Sequence, residues 1–294
     1  QKFIEYNIED CVLVSDLDKK LGLIDQVMAL AYDAKINFVD TLTTVRAWDT
    51  IIHNFLMEKN IVVPPMKENK GFVALAGGFV KEPKIGMHKW LMSYDLDSLY
   101  PHLIMMYNIS PETFVERLAK FPSIDILLDV EDTGMAGSDY SFAANGCVYR
   151  KDVQGFLPTL MDIKYTNRSK YKALSIENKK KYEETKLQEY EWLRVKYWNL
   201  QLAMKIQLNS AYGALANEYF RWYNFNHAEA ITLSGQLTIR WIEKKMNIYM
   251  NKLLKTEDED YVIASDTDSI YINFGPVVDA LGISDKSDLE IKRM

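Results

Sequence analysis

Cysteine is scarce in this sequence, and so are histidine and unbroken apolar stretches. Its 294 residues contain two cysteines and four histidines. Cys11 and Cys147 lie far apart, with no His or Cys neighbours at metal-binding spacing, which argues against a disulfide framework and against a zinc site. The apolar segment at 72–80 is far shorter than the roughly 18 residues of a membrane span, and no signal-peptide pattern is found. We therefore expect a reducing compartment and no membrane partner.

The composition that remains is that of a globular protein. Hydrophobic residues make up 48% of the chain and charged residues 26%, enough for one large or two ordinary domains. The net charge of −6 by itself argues against a nucleic-acid partner. Residues 161–210 reverse this balance, with eleven Lys and Arg against six Asp and Glu. This basic segment is typical either of a solvated helix surface or of a face for a polyanion, and charge alone does not decide between them.

Local patterns predict an alternation of helical and strand-rich regions. Helices are expected at 5–33, 47–59 and 228–251. A Pro-free segment at 160–217 predicts a helical hairpin with a break in the polar stretch 175–186. Other segments predict a turn-rich domain boundary at 62–86, a strand ending near Asp95 followed by a short helix opening at Pro101, short strands and loops at 110–158, and a β-hairpin at 261–274.

The segment YVIASDTDSIYINF at 261–274 contains two carboxylates, Asp266 and Asp268, among alternating strand formers. Asp is depleted from strands and is rarely buried unless it is paired or bound to a metal. A further aspartate, Asp95, ends another apolar strand. Such carboxylates suit a pair of Mg²⁺ ions that clamp the oxygens of an in-line phosphoryl transfer. The alternative is an Asp-Thr-Asp tripeptide that occurs by chance in an exposed turn.

The predicted hairpin helices place polar side chains on common faces. Arg168 and Lys172 are four residues apart, while Lys205, Asn209 and Tyr212 follow i, i+4 and i+7 spacing. Three cations suit a triphosphate, because each donates charge-assisted hydrogen bonds to anionic oxygens. The alternative is that these are ordinary exposed charges.

Three segments in order resemble motifs A, B and C of the family B DNA polymerases: SYDLDSLYP at 93–101, KIQLNSAYG at 205–213 and ASDTDS at 264–269. The connecting segments GFVKEP and NISPET resemble the replicative polymerases of T4-like bacteriophages. This resemblance implies an α+β fold, with a right-hand palm of antiparallel sheet and helices plus a helical-hairpin fingers domain. The chain begins at Gln1 and ends at Met294, and we expect a piece of a longer protein, without the thumb and most of the exonuclease domain.

The resemblance also implies domain bounds. They are a C-terminal remnant of the 3′-5′ exonuclease domain at 1–22, a helical N-terminal-type segment at 23–66, the first part of the palm at 67–155, the fingers at 156–217 and the second part of the palm at 218–294. The segment YNIED at 6–10 resembles the third exonuclease motif, with Tyr6 and Asp10 at its functional positions. This chain alone is expected not to proofread.

The resemblance implies site residues position by position. Asp95 and Asp268 are the implied principal ligands of two Mg²⁺ ions, for which Mn²⁺ can substitute, with Asp266 in a lesser role and the backbone carbonyl of Leu96 assisting. Tyr100 is the implied steric gate against a ribose 2′-OH. The other implied contacts are Ser98, Leu99, Arg168, Lys172 and Lys205 to the triphosphate, Lys205 also as proton donor to pyrophosphate, Asn209 near the nascent base pair, and Tyr212 and Gly213 at the primer-template.

The implied function is DNA-directed DNA polymerisation, with dNTPs added to a primer 3′-OH during phage replication in the cytoplasm of the infected bacterial host. Implied partners are primed DNA, dNTPs, a sliding clamp and a complementing chain that carries the thumb. The sequence departs from the family pattern at Leu75, Asp97, His102, Ala264 and Ser265. Two alternatives stay open: a non-catalytic or partner-dependent fragment of a split polymerase, and another palm-type phosphoryl transferase such as a nucleotidyl cyclase.

Overall fold

The structure, a computed structural model, describes residues 2–66, 74–130, 134–135 and 137–282. Its contacts divide the chain into two compact units. The first comprises Gln1–Phe72 and Pro158–Asn224, and the second comprises Val73–Leu157 and Phe225–Met294. The turn-rich segment 62–86, predicted as a boundary, contains the first division. The predicted start of the palm at residue 67 and its predicted end at residue 294 lie outside the described residues.

Helices dominate the described residues, as the Leu-, Glu- and Lys-rich sequence predicts. They are α1 (Lys2–Leu21), α2 (Leu23–Ala34), a 3₁₀-helix (Phe38–Leu42), α3 (Thr44–Glu58), α4 (Leu99–Tyr107), α5 (Ile124–Asp129), α6 (Phe156–Thr185), α7 (Gln188–Leu215), α8 (Phe225–Leu254) and α9 (Gly275–Ala280). The sequence prediction missed α5, in a region expected to hold only strands and loops. It also placed the start of α4 at Pro101, which instead occupies the third helical position. Proline is tolerated there because amides of the first turn have no acceptor within the helix.

The strands form two antiparallel sheets. They are β1 (Val80–Lys81), β2 (Leu91–Asp95), β3 (Phe114–Arg117), β4 (Tyr140–Phe142), β5 (Cys147–Arg150), β6 (Val262–Asp266) and β7 (Ser269–Asn273). One sheet has the order β1-β6-β7-β2 and the other the order β3-β5-β4. Helices and antiparallel sheets together confirm the predicted α+β class.

In the first unit, α6 and α7 form the predicted helical hairpin. The break falls at Lys186, which has a positive φ of 57°. The rings of Tyr171 and Tyr197 stack with centroids 6.2 Å apart, and the Ser175 hydroxyl donates to the Arg194 carbonyl at 3.1 Å. Trp48 of α3 is 1% exposed, and its indole N–H lies 3.2 Å from the carbonyl oxygen of Gln207. The first two contacts join α6 to α7, and the third joins α3 to α7.

In the second unit, α8 packs against the four-stranded sheet. The buried side chains of this core are Ile239, Met250, Tyr261, Val262, Ile270 and Ile272. Leu96, which directly follows β2, is partly buried against the same cluster. Full burial of an aliphatic side chain of this size contributes about 1.5–3 kcal/mol. The core therefore anchors the strand ends that carry Asp95 and Asp266.

The turn between β4 and β5 requires glycine at residue 146. Gly146 has a φ of 80°, a conformation that other residues rarely adopt. A Cβ atom there would also lie 2.8 Å from the Cβ atom of Phe121. Asn145 beside it donates to the Asn226 carbonyl at 3.0 Å and to the Glu229 carboxylate at 3.1 Å. The turn is thereby held against the start of α8.

Asn108 connects the end of α4 to the segment that follows β5. Its side-chain amide donates to the carbonyls of Arg150 at 2.6 Å and Val153 at 2.8 Å, and accepts from the Gly155 N–H at 2.9 Å. The residue is 8% exposed and has a φ of 57°. Asn tolerates this left-handed conformation better than most residues.

None of the helices in the described part of the chain combines the length and the apolar character needed to cross a membrane.

Candidate active site

The Asp-Thr-Asp segment forms the turn between β6 and β7. Thr267 has a φ of 53°, which is uncommon for a β-branched residue. Its N–H donates to the Phe79 carbonyl at 2.9 Å, and its hydroxyl donates to the Asp266 carboxylate at 2.9 Å. The Asp268 N–H lies 2.6 Å from the Asp266 carbonyl. These hydrogen bonds hold Thr267 in the conformation that the turn needs.

The structure places Asp266 and Asp268 at the turn between two strands, as the predicted β-hairpin at 261–274 implies, but it does not bury them. Asp266 is exposed at the last position of β6, and Asp268 is partly buried in the turn. The flanking strand residues Ser265 and Ile270 are buried, at 1% and 4% exposure. The alternation of apolar residues thus predicts the strands correctly, but the turn brings the carboxylates to the end of the sheet, where water reaches them.

Strand register places Asp95, Ser269 and Asp266 in one row across β2, β7 and β6. Asp95 pairs with Ser269, and Ser269 pairs with Asp266. Residues paired in this way project from the same face of a sheet. The Ser269 hydroxyl donates to the Asp95 carboxylate at 2.9 Å. Sequence reasoning missed Ser269 as a functional candidate, although its position directly after Asp268 was a signal that it lies beside the carboxylates.

The charges of these three aspartates influence one another. Partial burial raises the pKa of Asp268, and the negative charges of Asp95 and then Asp266 raise it further. A raised carboxyl pKa of this origin indicates like charges that are close together. Among the described residues, no group of three or more His, Cys, Asp or Glu side chains converges closely enough to hold a metal ion by itself. A cation at this site would therefore take other ligands from solvent or substrate.

The start of α4 lies next to this row. The Leu96 N–H donates to the Asp268 carbonyl at 2.8 Å, which joins the end of β2 to the Asp-Thr-Asp turn. Ser98 precedes α4 with a φ of 55°. Leu99 is buried and Tyr100 is half-buried. The second unit thus brings together all of the predicted metal, sugar and triphosphate residues from motifs A and C.

Two departures from the family pattern, Asp97 and His102, lie around the start of α4, and two more lie in β6. The His102 ring nitrogen Nδ1 is 2.9 Å from the Ser98 carbonyl, so His102 fastens the first turn of α4. Asp97 is exposed, and the Ser98 hydroxyl donates to its carboxylate at 3.2 Å. Ala264 and Ser265 lie in β6, directly before the turn.

The predicted site residues of motif B and of the basic segment lie on α6 and α7 of the first unit. Met204, Leu208 and Ala211 bury one face of α7. On the other face, Lys205 and Asn209 are exposed and Tyr212 is half-buried, followed by the exposed Gly213. Burial raises the pKa of the Tyr212 phenol, which keeps it neutral. On α6, Lys172 is exposed and Arg168 is partly buried.

Part of the basic segment has a structural role. Lys164 is 6% exposed and forms an ion pair with Asp33 of α2. Other cations of the segment form ion pairs within one helix, as the solvated-helix interpretation predicts, namely Lys179 with Glu183, Lys181 with Glu177 and Arg194 with Glu191. The positively charged side chains of this segment therefore do not form one continuous surface for a polyanion, because several of them are held in ion pairs.

Tyr6 and Asp10, the predicted exonuclease remnant, lie on α1 and are exposed. Helix α1 buries no residue. Leu75 precedes β1 and is partly buried.

Comparison with known proteins identifies the family. The model of DNA polymerase family B matches residues 41–284 of this chain. The chain belongs to DNA polymerase family B. Curated relatives include the DNA-directed DNA polymerases of Escherichia phage RB69 and Enterobacteria phage T4, each 32% identical over 325 residues. These alignments cover 97% and 96% of this chain and 36% of each relative, so the chain spans about a third of their length.

The family B fold is also found among solved structures. The family B DNA polymerase from the hyperthermophilic archaeon Pyrobaculum calidifontis is similar with a TM-score of 0.60 at 24% identity. The similarity covers 90% of this chain and 31% of the archaeal chain. At this level of identity the likeness concerns the fold alone.

Proposed function

We propose that this family B chain carries the palm and fingers of a DNA-directed DNA polymerase that adds deoxynucleotides to a primer 3′-OH during phage DNA replication. The observation that carries the proposal is the row of Asp95, Ser269 and Asp266 with Asp268 in the adjoining turn. The relatives named DNA-directed DNA polymerase support it, because their similarity extends over nearly the whole of this chain.

The donor set fits two hard divalent cations. Asp95 and Asp268 would be the principal ligands, with Asp266 in a lesser role and the Leu96 carbonyl assisting. Carboxylates at an accessible sheet end suit Mg²⁺, which keeps several waters and takes further ligands from substrate phosphates, and Mn²⁺ accepts the same oxygen donors. When bound, the cations supply Lewis-acid activation of the primer hydroxyl and neutralise charge on the departing pyrophosphate.

Residues of the second unit orient the reactants in this proposal. Ser269 fixes one oxygen of Asp95 by its hydrogen bond, and the Leu96 N–H fixes the turn that carries Asp268. Tyr100 excludes a ribose 2′-OH by occupying its space. Ser98 and Leu99 line the triphosphate.

Residues of the first unit bind the triphosphate and the base pair in this proposal. Arg168, Lys172 and Lys205 donate charge-assisted hydrogen bonds to phosphate oxygens. Lys205 also transfers a proton to the pyrophosphate oxygen as the bond to the α-phosphorus breaks. Asn209 contacts the nascent base pair, while Tyr212 and Gly213 contact the primer-template in its minor groove, where a phenol can donate to base acceptors.

The proposed partners follow from this chemistry. They are primed DNA, dNTPs, a sliding clamp and a complementing chain that carries the thumb, and the proposed location is the cytoplasm of the infected bacterial host. Tyr6 and Asp10 are proposed as remnants of an exonuclease site, without proofreading activity in this chain alone.

Extension of a labelled primer by this chain tests the proposal. At low salt with Mg²⁺, we expect template-directed addition of dNTPs, with rNTPs used much less. Asp95→Asn and Asp268→Asn are expected to abolish extension, because each removes a charged ligand. Asp258→Asn, an equal change in the exposed turn before β6, serves as the matched control. Undiminished extension by Asp268→Asn would contradict the assignment.

A second candidate function is that of a chain that requires a complementing partner for activity. The exposed apolar side chains of α1 favour it, since Phe3, Ile4 and Val14 are 77%, 63% and 69% exposed. In that case the chain alone binds primed DNA without extending the primer, and extension begins when a chain carrying a family B thumb is added. Extension by the chain alone would count against this candidate.

A further inference from the structure

Gly235 lies where α8 passes closest to α4. A Cβ atom built at Gly235 would lie 3.1 Å from Cε1 of Tyr100, 3.6 Å from Cδ1 of Leu103 and 3.7 Å from Cδ2 of Leu99. The two longer distances are ordinary contacts, whereas the distance to Tyr100 is tighter than nine in ten contacts of real Cβ atoms, so the neighbour must move by a few tenths of an ångström. The ring of Tyr100 therefore lies against the backbone of α8 at Gly235, the residue of this helix that has no side chain.

Helix propensity does not account for this glycine. Gly235 is in the interior of α8, eleventh of its 30 residues, where alanine is the more favourable residue. Its φ is not positive, so the backbone conformation does not require glycine either. The remaining reason is the close approach of Tyr100.

We propose that Gly235 is a positioning residue that sets the location of the Tyr100 ring and thereby the discrimination between deoxyribose and ribose. The effect on sugar selectivity rests on the proposed function, whereas the contact between the two residues does not. Gly235 itself touches no reactant. It acts by allowing the ring to lie against α8 and away from the sugar.

The surroundings of Gly235 determine which side gives way when a methyl group is added. Ser234 is fully buried, and its hydroxyl accepts from the Ala144 N–H at 3.1 Å. Ile239, one turn further along α8, is fully buried in the core beneath β6 and β7. Both anchors hold α8 in place. An added methyl group should therefore move the Tyr100 ring by a few tenths of an ångström, away from α8.

A thermal-unfolding cycle tests the contact without any need for activity. Gly235→Ala is made in the wild-type chain and in the Tyr100→Ala and Tyr100→Leu chains. We expect it to raise the unfolding midpoint in both Tyr100 variants, where the ring is gone and the gain in helix propensity remains. In the chain with Tyr100 the midpoint should stay level or fall. Gly213→Ala serves as the helix control, since no atom outside the adjoining backbone of its own helix lies within 4 Å of the added methyl group, and its shift should be the same in every background.

Primer extension tests the effect on selectivity. We expect Gly235→Ala to raise KM for dNTPs about fivefold with kcat within twofold, and to increase the preference for dNTPs over rNTPs, because the displaced ring intrudes on the sugar. In the Tyr100→Ala background the same substitution should leave KM unchanged. A merely structural role would alter KM in both backgrounds alike.

The outcomes separate the two proposals. Equal midpoint shifts in all backgrounds would overturn the positioning role of Gly235, whether or not the chain is active. Coupled midpoints together with equal KM changes in both backgrounds would overturn the effect on selectivity. Failure of the unmodified chain to extend a primer would count against autonomous polymerase activity, and the unfolding cycle would then decide the contact.

Discussion

Acidification is expected to destabilise the second unit through one buried imidazole. His227, near the start of α8, is 1% exposed. Its Nδ1 atom lies 3.0 Å from the Tyr149 hydroxyl of β5, and its ring centroid lies 5.3 Å from that of Phe114 of β3. Burial lowers the pKa of His227 from 6.5 to about 4. The folded protein therefore resists protonation of a group that the unfolded chain protonates readily.

The sign and size of the effect follow from proton linkage. Between pH 6.5 and about 4 the unfolded chain binds one more proton at this residue than the folded chain does, so stability falls as the pH falls. The full effect below that range is about 3 kcal/mol, because one pKa unit corresponds to about 1.4 kcal/mol. The expected partial losses are about 1.4 kcal/mol at pH 5.5 and about 2.5 kcal/mol at pH 4.5.

The neighbours of His227 titrate outside this window. Burial raises the pKa of the Cys147 thiol and raises that of the Tyr149 phenol well above its usual value. Elsewhere in the unit, burial opposes ionisation of Asp260, but hydrogen bonds from Lys81, Asn247 and Lys84 outweigh it and lower the pKa to about 2. Its contribution is lost only between pH 3.8 and about 2.

Urea unfolding followed by circular dichroism between pH 7.5 and 4.5 measures the effect. The comparison is between the wild-type chain, His227→Gln and the control His53→Gln, which changes an exposed histidine. Subtracting the His227→Gln curve of stability against pH from the wild-type curve cancels the contributions of all groups that the two chains share. We expect the difference in unfolding free energy between wild type and His227→Gln to change by about 2.5 kcal/mol over this range. A difference that stays constant with pH would refute the reasoning.

Three further predictions concern single side chains. Asn108→Ala should lower the unfolding free energy by about 4 kcal/mol, because three buried hydrogen bonds are lost and the left-handed backbone is strained. The loss for Asn108→Gly should be smaller by about 1 kcal/mol, because glycine is not strained there. A loss below about 1 kcal/mol for Asn108→Ala would contradict this. Lys164→Met should lower the unfolding free energy by about 2 kcal/mol, and most of this loss should be regained when Asp33 is also replaced by Leu. Additive losses from the two single substitutions would contradict this. Ser269→Ala should raise the Mg²⁺ concentration needed for half-maximal primer extension about tenfold, whereas Ser93→Ala should not. Equal effects of the two substitutions would contradict this.

The sequence predicts the helices well because their signal is local. The hairpin α6 and α7 contains no proline near its middle and few helix-breaking residues, and α3 has apolar residues at helical spacing that become buried, such as Trp48 and Ile52. Helix α5 escapes prediction because it is only six residues long, too short to show a period. The start of α4 was misplaced because proline is allowed at several positions of a first turn, and local sequence does not distinguish them.

The candidate site is less predictable because its geometry depends on pairing between distant segments. The sequence indicates Asp95, Asp266 and Asp268, but not that Ser269 stands between two of them, since this follows from the register of β2 on β7. The ion pair of Lys164 with Asp33 joins residues 131 positions apart and leaves no local pattern. Alternation reports which face a residue occupies and not how near it lies to a strand end, so it does not show that these carboxylates reach the exposed end of the sheet.

Helix α8 supports both the row of Asp95, Ser269 and Asp266 and the ring of Tyr100. Its residue Ile239 packs into the core with Ile270 and Ile272 of β7, and so fixes the strand that bears Ser269. One turn earlier, Gly235 contacts Tyr100 of α4. Residues four apart lie on one helical face. The row of carboxylates and the proposed sugar-excluding ring are therefore built on a single face of one helix, and a rotation of α8 would disturb both together. This explains why a methyl group at Gly235 is expected to move a tyrosine ring and not the helix, since movement of the helix would also cost burial in the core.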